Sequence, residues 1–217
     1  MRSIAVIGLS SFGFYLCKYL ADTGVEVMAI DINEDRINEV KGFLKKAIVA
    51  DALDKKVLQR LALNDFDVVV ISVGEPIGTS VLITLHLQGL GIREIYAKAI
   101  SDDHAKILYR IGAATVIFPE KDIANRIANT LRQPNLLEYV SLGEGFSMIE
   151  LAPPSVWLGK TLAGIDIRNQ FDVQVIMIKE VIPQSTIMIP SGQHIIKDSD
   201  ILVILGRNED LAKVEKL

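Results

Sequence analysis

Gly8-Leu9-Ser10-Ser11-Phe12-Gly13 is the stretch whose residue types and spacing point most directly to chemistry. It follows the apolar run Ile4–Ile7 and precedes a helical pattern, so it occupies the place of a GxGxxG fingerprint with serine at the middle glycine. The first glycine permits a tight turn and the last permits close helix–strand packing. Between them, backbone amides at a helix N-terminus can approach a pyrophosphate. Asp31 closes the next apolar run, where a carboxylate can accept hydrogen bonds from ribose hydroxyls. Ser10 crowds the phosphate approach, although its hydroxyl could itself donate to a phosphate oxygen. The alternative is a loop whose glycines serve packing alone and which binds nothing.

Catalytic groups are sparse. His86 reads as a half-buried packing residue of an amphipathic helix, His104 as a solvated residue at a helix start, and His194 as a residue beside the Gly192 turn. Cys17 fits a small core position, and Trp157 a packing residue of the C-terminal part. No Ser/His/Asp order, HExxH or paired-acid motif is present. A nucleotide site without attached chemistry suggests a sensor rather than an enzyme.

The elements that must position the loop alternate. Strand patterns at Ile4–Ile7, Val25–Ile30, Ala47–Ala50, Val68–Ser72, Glu94–Lys98 and Thr115–Phe118 are separated by helical patterns, including Asp54–Leu63, Ile77–Leu90 and Asp102–Ile111. This order implies an α/β, Rossmann-like doubly wound parallel sheet of six strands. Glu120–Arg132 is helical with no strand directly behind it, and Gln133-Pro134-Asn135 breaks it. Beyond it the texture becomes short strands punctuated by proline, with a helical tail from Asn208. The expected organisation is therefore residues 1–134 as a nucleotide-binding domain with a crossover helix at 120–132. Residues 135–217 would form a linker and a second, small α+β domain.

Composition agrees. Of 217 residues, 50% are hydrophobic and 23% charged, enough apolar surface for a packed core. A net charge of −4 argues against a nucleic-acid partner. The single cysteine excludes a disulfide framework. No apolar run approaches a membrane span, so the expectation is a cytoplasmic protein without direct membrane insertion.

Several segments carry a resemblance: Val6-Ile7-Gly8-Leu9 with Phe12-Gly13, Asp31-Ile32-Asn33-Glu34, Ala50-Asp51-Ala52, Phe118-Pro119-Glu120-Lys121-Asp122, Leu158-Gly159-Lys160-Thr161-Leu162 and Asp198-Ser199-Asp200-Ile201. In order and spacing the chain resembles the cytosolic regulatory subunits of Ktr/Trk-type potassium uptake systems, the RCK family. The resemblance implies a homo-oligomer, a dimer assembling into an octameric ring beneath a membrane potassium-translocating subunit. It also implies ATP or ADP, with NAD(H) as the alternative, in the N-terminal domain. By position, Gly8, Leu9, Ser10, Ser11, Phe12 and Gly13 would form the phosphate loop, Asp31 with Ile32 the ribose end, and Asp51 and Ala52 the adenine region. Ser72 and Gly74 would form the pocket wall, and Lys98 would lie near the phosphates. In the family, arginine often stands where this sequence has Ser11.

Glu120 would lie near a dimer two-fold and bind Mg2+ or Ca2+ with its symmetry mate; the other reading is an acid favourably placed at a helix N-terminus. Arg168 and Pro190 fall where some members hold cyclic di-AMP, with a surface salt bridge as the plainer role for Arg168. The rival readings of the whole chain are a non-binding scaffold and an NAD(H)-dependent oxidoreductase.

Overall fold

The computed structural model describes residues 2–132 and 135–217. The break expected at Gln133-Pro134 lies outside the described residues. Contacts divide the chain into two compact units, Met1–Lys121 and Asp122–Leu217.

In the first unit β1 (Ser3–Ile7), α1 (Ser11–Asp22), β2 (Glu26–Asp31), α2 (Glu34–Val40), β3 (Lys46–Val49), α3 (Lys55–Arg60), β4 (Val68–Ile71), α4 (Ile77–Gly89), β5 (Ile95–Lys98), α5 (Asp102–Arg110) and β6 (Thr115–Ile117) alternate, and α6 (Pro119–Arg132) begins. The strands form one parallel sheet in the order β3-β2-β1-β4-β5-β6, the doubly wound arrangement that the alternation implied. β4, Val-Val-Val-Ile, is buried at every position, as a central parallel strand covered on both faces must be. Asn33 caps α2 by accepting from the Asp35 and Arg36 amides, and Glu34 and Asp35 sit favourably in its first turn. α3 stops at Arg60, short of the expected Leu63, because Ala62 takes a left-handed conformation (φ 48°) and a 3-10 turn follows at Leu63–Asp65.

Two helices differ from their sequence reading. α4 does not sort apolar residues inward and polar residues outward: Ile77, Leu82 and Leu85 are exposed while Ser80 and Thr84 are buried; His86 on it is half-buried, with Nδ1 buried and unpartnered. His104 is 1% exposed rather than solvated, because it stands one turn before the buried Leu108 on the inward face of α5. The Ile100 amide donates to His104 Nδ1 (3.3 Å), so Nε2 carries the proton toward Ser80 Oγ (2.8 Å), and Ser80 in turn donates to the Ile77 carbonyl (3.0 Å). Burial pushes the His104 pKa below its ordinary 6.5. The unfolded chain therefore binds the proton first. The stability contributed by neutral His104 is fully present above pH 6.5 and is lost as the pH falls through the lowered folded value. Thermal unfolding of His104→Gln between pH 7 and 5 is expected to show a flatter pH dependence than wild type; parallel curves would contradict this.

The second unit continues α6 from Asp122 and contains β7 (Leu136–Gly143), β8 (Phe146–Leu151), α7 (Leu162–Ile165), α8 (Ile167–Phe171), β9 (Gln174–Glu180), β10 (Ser185–Met188), β11 (Asp200–Arg207) and α9 (Asn208–Val214). Its strands pair antiparallel in the order β10-β9-β11-β8-β7, making the smaller sheet domain expected. Ile149, Ile178, Leu202 and Ile204 are fully buried in its core, and Trp157 packs edge-on against Phe171 there.

Candidate functional site

β1 and β4 are adjacent at the centre of the first sheet, and the chain leaves them toward opposite sides. Such a switch point leaves a crevice at the carboxyl ends of the strands. A cleft of ≈ 440 Å³ opens there. Its lining includes Gly8 and Ser10 from the glycine loop, Asp31 at the end of β2 and Ile32 after it, Asp51 and Ala52 after β3, and Ser72 and Gly74 after β4. The structure thus brings together these eight of the residues named from the sequence. Leu9, Ser11, Phe12, Gly13 and Lys98 are not among the described residues lining the cleft.

Two of the glycines are required by close approach. Gly8 has φ +93°, and a Cβ there would come within 2.6 Å of Val73 Cγ2. A Cβ on Gly13 would stand 2.1 Å from the Gly8 carbonyl oxygen and 2.9 Å from Ser72 Oγ. Gly13 therefore shapes the cleft from behind, letting the start of α1 approach the Gly8 carbonyl after β1 and Ser72 after β4. Ser10, at the N-cap of α1, does not cap it. Its Oγ donates to the Ser72 carbonyl (2.9 Å) and lies 2.7 Å from Ser72 Oγ, tying the loop to the end of β4. With no side-chain cap and no acid in the first turn, the positive end of α1 is left open to an anion.

Asp31 is 6% exposed and holds three groups. Its Oδ2 accepts from the Leu9 amide (2.6 Å), its Oδ1 accepts from the Asn33 amide (2.8 Å), and Arg36 lies 3.6 Å from Oδ2. One carboxylate thus locks the glycine loop to the start of α2. Arg36 went unnoticed in the sequence because no spacing rule marks it. It is the one cation among the described lining residues, against Asp31, Asp51 and Glu75, and its side chain is half exposed. A guanidinium at the rim of an amide-lined crevice suits a phosphate or carboxylate.

Lys98 is nearly buried, and its Nζ meets Glu120 Oε1 at 2.5 Å. Burial alone would raise the Glu120 pKa, but the Lys98 ammonium and a backbone hydrogen bond outweigh it, and the carboxyl is held below its ordinary value. No cluster of three or more metal-ligating side chains among the described residues includes Glu120.

In the second unit, Arg168 and Pro190 share the lining of a shallower cleft of ≈ 390 Å³ with Asp166, Asn169, Gln174 and Gly192. Arg168 donates from Nε to the Gln174 amide oxygen (2.9 Å), so its hydrogen-bond partner is neutral instead of the acid expected of a salt bridge.

The sequence matches the TrkA-N domain family over residues 4–119 and the TrkA-C domain family over residues 146–217. It is 40% identical over 215 residues to Ktr system potassium uptake protein C of Bacillus subtilis, covering 99% of this chain and 96% of that protein. It is 35% identical over 211 residues to Ktr system potassium uptake protein A of Vibrio alginolyticus, covering 97% and 95%. Among solved structures it is similar to the GsuK channel, with TM-score 0.70 and 20% identity, over 100% of this chain and 39% of that one. The NAD-bound GsuK channel gives TM-score 0.55 and 20% identity over 100% and 38%. With a TrkA-N domain followed by a TrkA-C domain over nearly its whole length, the chain belongs to the Ktr potassium uptake protein family.

Proposed function

We propose that this chain is the nucleotide-sensing regulatory subunit of a potassium uptake system, gating a membrane pore through ligand-dependent changes in an oligomeric ring. The observation that carries the reading is the crevice at the β1/β4 switch point, where Gly8 and Gly13 clear the approach to an uncapped helix N-terminus and the Asp31 carboxylate lines the cleft at the end of β2. In this reading an adenine nucleotide lays its phosphates over the loop from Gly8 to Gly13, and Asp51 and Ala52 border the base. Arg36 replaces the cation that Ser11 does not supply. Charge-assisted hydrogen bonds are the strong ones, so Arg36→Ala is expected to weaken ADP binding by about 1.5–3 kcal/mol. Unchanged calorimetric affinity would remove Arg36 from the site.

NAD(H) is the second ligand class, favoured by the three acids and single arginine of the lining, which suit a less highly charged ligand than a free triphosphate. GsuK has been solved with NAD bound. Among the described residues lining the crevice there is no histidine, lysine, tyrosine or cysteine, and regulation rather than catalysis is the role proposed.

The gate itself is mechanical. α6 presents Ile123, Ile127 and Leu131 to solvent at helical spacing, an apolar stripe suited to crossing onto a second copy in a dimer and, through it, an octameric ring. In this reading residues 1–134 are assigned to the sensing domain and its arm and 135–217 to the second domain, a functional division that differs from the contact division after Lys121. A Mg2+ or Ca2+ ion at the two-fold would require the partner's own acid and displacement of the Lys98 ammonium from Glu120. No helix among the described residues is long and apolar enough to cross a membrane. In the proposed reading the pore belongs to a membrane partner subunit and this chain acts from the cytoplasmic side. Potassium uptake by cells lacking their own regulatory subunit tests the reading. Expression of this chain together with its membrane partner is expected to restore growth at low potassium, and expression of Asp31→Ala is not. Equal growth with and without the chain would contradict the proposal.

A further inference from the structure

In the second unit, Glu180 at the end of β9 and Asp200 at the start of β11 are directly opposed across an antiparallel ladder. Two carboxylates in that relation repel each other unless positive charge is placed between them. His194, in the loop before β11, brings Nε2 to 3.1 Å from Asp200 Oδ2. One ligating atom from each of Glu180, His194 and Asp200 lies within 4.8 Å of the other two. Asp200 is 2% exposed; its Oδ2 also accepts from the Lys197 amide (3.0 Å), but its Oδ1 is buried with no hydrogen-bond partner. An unpartnered carboxylate oxygen inside a protein is costly. The Lys197 ammonium partly supplies the missing charge, resting on Glu180 Oε1 at 2.5 Å, while Ser185 Oγ donates to Oε2 (2.5 Å). The Lys197 side chain is half exposed and can swing into solvent.

We propose that Glu180, His194 and Asp200 form a divalent transition-metal site of the Zn2+ class, for which Lys197 is the resident counter-ion when no metal is bound. One imidazole and two carboxylates are a borderline donor set. They favour Zn2+, Co2+ or Ni2+ over Mg2+ and Ca2+, which prefer oxygen alone, and three protein ligands leave a fourth position for water. Metal on Nε2 would also stiffen the neighbouring cleft. The His194 and Gly192 carbonyls accept from the Leu162 (3.0 Å) and Ala163 (2.8 Å) amides, and Gly192, Leu162 and Ala163 line that cleft. The site is thus placed to couple metal occupancy to whatever the second unit binds. It stands apart from the nucleotide reading, since none of its ligands lines the crevice of the first unit.

The test is calorimetric titration of untagged, full-length protein, stripped with chelator and dialysed, with ZnCl2 and MgCl2, backed by Co2+ absorption spectra. One Zn2+ per chain is expected, with Mg2+ at least about a hundredfold weaker. His194→Gln and Asp200→Asn should each weaken Zn2+ binding by about tenfold or more and abolish the Co2+ ligand-field bands, whereas Glu94→Gln, at an exposed acid of the first unit, should change neither. Circular dichroism of each variant in chelator establishes that it is folded. Lys197→Met, an exposed change that spares the core, should tighten Zn2+ by removing its competitor. No Zn2+ binding, Mg2+ binding of equal affinity that is lost in His194→Gln, full Zn2+ binding by folded His194→Gln, or weaker binding by Lys197→Met would each overturn the proposal.

Discussion

Asp31→Ala is expected to weaken adenine-nucleotide binding by roughly 1–3 kcal/mol and to lower the stability of the first unit by a similar amount. Both effects come from one carboxylate. Its removal deletes the acceptor for ribose hydroxyls, and it also leaves the Leu9 and Asn33 amides without partners where Asp31 is 6% exposed. The Leu9 amide belongs to the glycine loop, so the loop loses its tether to α2 as well as its ligand contact. Asp31→Asn separates the two effects. An amide oxygen can still accept from one backbone N–H, so stability should recover in part, while the charge facing Arg36 is gone. Calorimetry with ADP and thermal unfolding of both variants make the comparison. Wild-type affinity in folded Asp31→Ala would remove Asp31 from the ligand site and leave it a loop tether only.

Ile127→Asp should convert the oligomer to monomers. Ile123, Ile127 and Leu131 are 46, 49 and 81% exposed, a row of apolar side chains along one face of α6 that a second copy would cover. A carboxylate in the middle of such a buried stripe has no counter-ion and must be desolvated, a penalty of several kcal/mol that falls on both protomers of a symmetric contact. Because Ile127 is already half exposed, the monomer itself should stay folded, with unchanged circular dichroism. Light scattering coupled to size exclusion reads the outcome. A variant that elutes with wild-type mass would exclude α6 as the arm.

The parts of the molecule legible in the sequence are those set by local pattern. Val68–Ile71 is β-branched at every position and had to be a central strand. The Gly8 and Gly13 spacing fixed the turn and the close packing now seen against Val73 and Ser72. The parts that were not legible depend on three-dimensional neighbours. The burial of His104 is decided by Ser80 on another helix, and the reach of Arg36 into the crevice by the turn that Asn33 caps. β7 runs on to Gly143, beyond the apolar segment 136–140, because pairing with β8 rather than hydrophobicity holds its last residues at the sheet edge. α7 and α8 escaped because each is little more than a turn, separated by Asp166 in a left-handed conformation. The Glu180–Asp200 opposition follows from strand register, which residues twenty positions apart do not announce.

Parallel titration of the purified, untagged protein with ATP, ADP, NAD and NADH, with and without Mg2+, tests the sensing claim most directly. A ligand shifts an equilibrium only by its differential affinity for the two states, so ATP and ADP competing for one crevice switch the protein only if they favour those states unequally. The expected result is saturable binding of ATP and ADP with a clear difference between them, lost or weakened in Asp31→Ala. No heat from any of the four would contradict nucleotide sensing and leave the crevice a packing feature of the sheet.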